Sequence, residues 1–150
     1  MEECLACDLS QGRRHLPGGL IHRTDHWRVE HCVGPLGLGA LVVKPERHVT
    51  AVADLSDEEA AELGALLRRA SEVARTLVPA DQVYNCLWSH AGGVPAHIHY
   101  VIQPVTREQM AEFGAHGLVL QVAMFDHGAP PPDDAVEELA DRARRMFSDA

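Results

Sequence analysis

The chain has 150 residues, with 46% hydrophobic residues and a formal charge of −9. That length suits one domain with one sizeable core. The charge argues against a general grip on nucleic acid, which requires Lys and Arg to displace counterions from phosphates. No run of eighteen apolar residues is present and the first ten residues, MEECLACDLS, lack the basic-then-apolar pattern of a signal peptide. A cytoplasmic protein with no membrane partner is expected, its four cysteines being thiols or metal ligands and not disulfides.

In chain order, residues 20–23 and 27–32 alternate apolar and polar side chains around Thr24-Asp25-His26 and predict a hairpin. Residues 38–44 follow a Gly-Pro-Leu-Gly turn as a nearly unbroken apolar run, the mark of a buried strand, which Pro45 ends. A short helix is expected over 46–53. Ser56 and Glu59 match a capping box, and Leu63, Leu66, Leu67, Ala70, Val73, Ala74 and Leu77 recur at three- and four-residue steps, predicting a long helix closed by Pro79. Residues 82–88 and 96–105 are β-rich and expected to be antiparallel neighbours, joined by Ser89 to Pro95, a loop too long for a tight hairpin turn. From Thr106 the pattern is helical, and after three prolines Asp133 is the expected cap of a last helix carrying Val136, Leu139, Ala143 and Met146.

Side chains two apart on a strand share a face, so His97, His99, Val101 and Gln103 line one side of the last strand. Gly92 and Gly93 allow backbone N–H groups to approach a ligand and form an anion seat. Taken alone, the two imidazoles read first as surface histidines on a half-exposed strand. Cys4 and Cys7, separated by two residues, can hold one tetrahedral zinc if two further ligands exist. His48, just after a strand, and a histidine on another strand would complete a Cys₂His₂ set with no open position and so no Lewis-acid role. Free thiols or a redox pair are the alternative.

Taken together, GALVVKPERHV, a long helix and VYNCLWSHAGGVPAHIHYVIQPV resemble the histidine-triad family over residues 4–104, with residues 106–150 a C-terminal helical extension of the same domain. The resemblance implies an α+β fold with a five-stranded antiparallel sheet and packed helices, assembled as a homodimer. It also implies one structural Zn²⁺ per chain on Cys4, Cys7, His48 and His97, and His99 as the nucleophile. The implied activity is hydrolysis or nucleotidyl transfer on a dinucleoside polyphosphate, a nucleoside phosphoramidate or a related phosphate compound. A phosphohistidine intermediate would carry the transferred group.

Two positions depart from the family's pattern. The third triad position is Val101, with Gln103 two residues on and one pleat away; the position where many relatives hold ribose with an Asp is Cys32, with Glu30 on the same face. A non-catalytic nucleotide-binding or scaffold module is therefore the rival reading. Further substrate contacts implied by the resemblance are Asn85, Ser89, His90, Gly93 and Val94, with Arg107 as a phosphate partner and Ile21 and Trp27 as the floor of a base pocket. Cys32 and Cys86 are expected to be buried thiols. His15, His22, His26, His116 and His127 have no assigned role.

Overall fold

A computed structural model describes residues 3–149. Helix α1 (Leu5–Ser10) precedes strands β1 (Leu20–Arg23), β2 (Trp27–His31) and β3 (Leu41–Pro45). A 3₁₀ turn (Val52–Asp54), helix α2 (Asp57–Leu77), strands β4 (Gln82–Ala91) and β5 (Val94–Val105), and helices α3 (Arg107–Phe113), α4 (Gly117–His127) and α5 (Asp133–Ser148) complete the chain. The strands form one antiparallel sheet in the order β1-β2-β3-β5-β4. This is the expected α+β architecture. No helix among the described residues is long and apolar enough to cross a membrane.

Each sheet face is covered by different helices. Trp27, Val29, Leu41, Val43 and Ile102 point to one side and pack against Leu66, Ala70, Val73 and Leu77 of α2 and Leu139, Ala143 and Phe147 of α5. The predicted capping box starts α2: Glu59 N–H donates to Ser56 Oγ at 3.1 Å, and Ser56 N–H donates to the Glu59 carboxylate at 2.8 Å. On the opposite face Val101 and Val105 meet Leu36, Ala40, and Leu120 and Met124 of α4. The C-terminal helices thus complete both halves of the core.

Four local expectations change. Residues 46–53 form no α-helix; the segment is short and exposed, and only its end closes as a 3₁₀ turn. The predicted long loop after residue 88 is instead a two-residue hairpin turn at Gly92-Gly93, with φ of +59° and +80°, flanked by the pairs Ala91–Val94 and His90–Pro95. Two successive positive φ values are what a type I′ turn demands, and glycine meets that demand without a Cβ penalty. Asp133 is the first residue of α5, not its cap; Pro132 takes that place with no side-chain hydrogen bond. Trp27 and Ile21 belong to the core beneath α2 and α5, where Trp27 Nε1 donates to Glu59 O at 2.8 Å. They therefore do not floor a pocket on the histidine face.

A buried histidine closes the β2–β3 connection. His31 Nδ1 donates to Cys32 O at 2.8 Å, so Nε2 keeps its lone pair and accepts from Gly39 N–H at 2.9 Å. Burial pushes the His31 pKa below its ordinary 6.5. Protonation would also put two N–H groups face to face at Gly39. The unfolded chain takes up this proton below pH about 6.5 while the folded protein resists it. This contribution to stability is therefore complete above that pH and declines as pH falls through it. Urea unfolding of His31→Gln, which retains an acceptor, should show a flatter loss of stability between pH 7 and 5 than the parent chain. Parallel curves would refute the assignment.

Candidate metal centre and nucleophile

The CxxC spacing lets α1 present two sulfurs from its first turn, Cys4 at the cap position and Cys7 inside. His48 follows the Pro45 that ends β3, and His97 lies near the start of β5. The four residues converge, one potential ligand atom from each lying within 4.8 Å of all the others. Cys7 Sγ is 3.3 Å from His48 Nδ1 and 3.4 Å from His97 Nδ1. His97 is buried and its Nε2 donates to Pro45 O at 2.8 Å, which aims the free Nδ1 lone pair into the cluster.

Electrostatics in this cluster favour a cation. Burial and the adjacent Cys4 push the Cys7 thiol up to about 11. Burial holds His97 down to about 4, with His48 and Lys44 acting in the same direction against the Pro45 carbonyl. A crowded Cys7 thiol that resists ionisation, the Cys4 sulfur beside it and two imidazoles, one of them held neutral, make a donor set that a soft or borderline divalent ion would satisfy. Among the described residues no carboxylate belongs to it.

His99 stands two residues further along β5 on the same face as His97. Its Nδ1 donates to His97 O at 3.2 Å, leaving Nε2 with its lone pair. Burial lowers its pKa, so the ring is neutral and nucleophilic near pH 7. The side chain remains partly exposed. Opposite it on β4 is Trp88, whose ring tilts against Phe125 of α4 with centroids 6.0 Å apart. Trp88 Nε1 is buried without a hydrogen-bond partner.

The remaining candidates do not gather around His99. Gln103 is fully buried, donating to Leu36 O at 3.3 Å and accepting from Gln121 Nε2 of α4 at 3.0 Å. Its amide is committed to the fold. Asn85 lies on the opposite sheet face, where its amide donates to Ser71 of α2 at 3.1 Å. Arg107 is exposed beyond the far end of β5 and binds Asp81 at 2.8 Å. Ser89, His90, Gly93 and Val94 occupy the hairpin that extends past His97, His90 and Val94 pointing to solvent near its tip. Cys32 and Cys86 are only half-buried; Gly34 N–H reaches the Cys32 sulfur at 3.3 Å and Gln121 approaches that of Cys86 at 3.4 Å.

The sequence reading overlooked a set of buried charges. The Lys44 ammonium, 1% exposed, pairs with the Glu30 carboxylate and donates to Ala6 O at 2.9 Å. Arg28 Nε sits 3.3 Å from Glu30 Oε2, in a geometry that leaves both atoms without a hydrogen bond. Burial lowers the Lys44 pKa and Glu30 opposes that shift. A lysine interrupting the apolar run just before Pro45, together with charges two apart on β2, was the available signal.

Solved structures of similar shape cover nearly the whole chain. A hypothetical histidine triad nucleotide-binding protein from Sulfolobus tokodaii superposes with a TM-score of 0.71 at 18% identity, spanning 97% of this chain and 93% of its own. This chain has the histidine-triad fold. A Hit-like protein from Bartonella henselae, described as involved in cell-cycle regulation, gives 0.72 at 14% identity, with 96% of each chain covered. A Zn-bound histidine triad family protein from Mycobacterium smegmatis gives 0.70 at 16%, covering 98% and 96%. No family model matches the sequence. The histidine-triad likeness includes α3 to α5, since these coverages extend well past residue 104.

Elemental analysis of the purified protein should find one divalent ion per chain. His48→Ala should weaken its retention by more than about 100-fold, beyond the loss typical of a residue that only supports a ligand. Unchanged metal content in both Cys4→Ser and His48→Ala would exclude the cluster as a metal site.

Proposed function

We propose that the protein is a histidine-triad hydrolase or nucleotidyl transferase, acting on a dinucleoside polyphosphate, nucleoside phosphoramidate or related phosphate compound through His99. The observation that carries this reading is the tautomer: with Nδ1–H given to its own strand, His99 offers Nε2 to an incoming phosphorus. Nε2 forms a bond to phosphorus as the bond to the leaving group breaks, the leaving group departing with the electron pair and taking a proton from solvent. Water or a second acceptor then attacks phosphorus, loses its proton, and returns the electron pair to the imidazole. The likeness to the S. tokodaii histidine triad nucleotide-binding protein supports the substrate class.

We assign zinc to Cys4, Cys7, His48 and His97, supported by the donor set and by the zinc in the M. smegmatis structure. Bound there, it would act as a structural staple with no position left for water. The same reading places the protein in the cytoplasm as a homodimer. Edge strand β4 exposes Leu87, and α4, on the other face of the sheet, exposes Leu118, Val119 and Val122, apolar side chains that a second copy would cover. Nucleic acid is not a partner, given the charge of −9.

A non-catalytic nucleotide-binding or scaffold module is the second reading. Val101 at the third triad position is 2% exposed and packed beneath α4, so no acid or base reaches the leaving group from that position. Trapping the protein with a panel of adenosine and guanosine phosphates and weighing the adduct separates the two. A covalent adduct is expected on the parent chain, and His99→Ala should lose at least about 1,000-fold in kcat with its melting temperature preserved. Near-normal turnover in that variant would reject the nucleophile; tight binding with no adduct or turnover would favour the module.

A further inference from the structure

The sheet register sets a row of side chains across the face that carries His99. Arg28 on β2 pairs with Lys44 on β3, and Trp88 on β4 pairs with His99 on β5. Val42 pairs with Val101 and Val43 with Tyr100. One further step of that register sets Lys44 beside His99. Paired residues of antiparallel strands point to the same face. The row is therefore Arg28, Lys44, His99, Trp88, with the Lys44 strand about 5 Å from the His99 strand.

Three features of this row call for an anion. Lys44 is the only lysine in the chain and is buried, at a desolvation cost of several kcal/mol for such a group. An ammonium has three N–H donors, and two have acceptors here, Glu30 and Ala6 O. Among the described residues Arg28, Arg23 and Lys44 face only the carboxylates of Glu30 and Glu46, a surplus positive charge within a protein of net charge −9.

We propose that Lys44, fixed by Glu30 and by the carbonyl of Ala6, supplies the positive charge that binds the phosphoryl group at His99. It stands in for the imidazole that Val101 replaces. This rests on the reading of His99 as the site of phosphoryl attack. A phosphoryl group drawn to Nε2 faces the ammonium across one strand spacing, where a fixed, pre-oriented charge acts on developing negative charge. Glu30 is a positioning residue: its carboxylate holds the ammonium on this face.

The test removes both members of the buried pair, because Lys44→Met alone strands the buried Glu30 charge and destabilises the fold. In Lys44→Met/Glu30→Gln, checked by thermal unfolding, AMP and GMP are compared with adenosine and guanosine by calorimetry, and turnover and adduct formation are measured with the phosphate panel. The expected result is at least a tenfold weaker affinity for the nucleotides with the nucleosides unchanged, and at least a tenfold lower kcat. A purely structural lysine would weaken nucleosides and nucleotides alike, and that result overturns the proposal. Adduct formation at the parent rate in a folded double variant overturns it while leaving the His99 reading intact. A parent chain that forms no adduct but binds nucleotides in a Lys44-dependent way ends the His99 reading and supports the charge assignment. A parent chain that binds no nucleotide overturns it.

Discussion

The alternation of side chains along β5, held in register by β3 on one side and β4 on the other, governs the rest of the structure. It places His97 over the Cys4–Cys7–His48 cluster and His99 two residues away on the same face. A slip of one residue would send both rings to the α2 side, where the core leaves no room for them. The register is secured from below by Ile102, fully buried against α2 and α5. It is secured from above by α4 on Val101 and Val105. Backbone hydrogen bonding, core packing and the sulfur–imidazole cluster thus specify the same strand alignment.

The histidine face divides into two unlike halves. Toward the hairpin it is polar, with His97, His99, Lys44, Arg28 and Glu30. Toward the end of β5 it is sealed, with Val101 and Gln103 roofed by Leu120, Gln121 and Met124. The two buried glutamines are joined by one hydrogen bond, Gln121 Nε2–H to Gln103 Oε1, and Gln103 Nε2–H goes on to Leu36 O, while Gln121 Oε1 is left without a partner. Phe125 marks the boundary, its ring meeting Trp88 and lying 3.6 Å from where a Cβ at Gly34 would be. His99 is therefore open toward the polar half alone, and Val101 is a packing residue.

Charge burial follows the same division. Lys44, Glu30 and Arg28 are held almost out of solvent, which is costly unless the members compensate one another. Here the ammonium also anchors α1 through Ala6 O, midway between the two cysteines. The segment that brings the sulfurs to the sheet and the segment that places charge near His99 are thus joined by one side chain.

Much of this was legible in the residues themselves, wherever the determining interaction is local. The capping box of Ser56 and Glu59, the stripe of α2, the strand alternation at His97 and His99 and the CxxC turn act over a few residues, and periodicity or spacing reports them directly. The full set Cys4, Cys7, His48 and His97 came from the family resemblance, since spacing by itself marked only the CxxC pair and a histidine shortly after a strand. Other outcomes depended on partners distant in the chain. Gln103 and Asn85 are polar strand residues of similar appearance, yet α4 buries one and α2 engages the other on the opposite face. Lys44 reads as a strand end until Glu30 and α1 surround it. The apolar α4 shows no stripe to mark its inner side, so only packing decided which of its residues would close half of the histidine face: side-chain periodicity encodes which residues share a face, whereas what covers that face is settled by contacts between elements far apart in sequence.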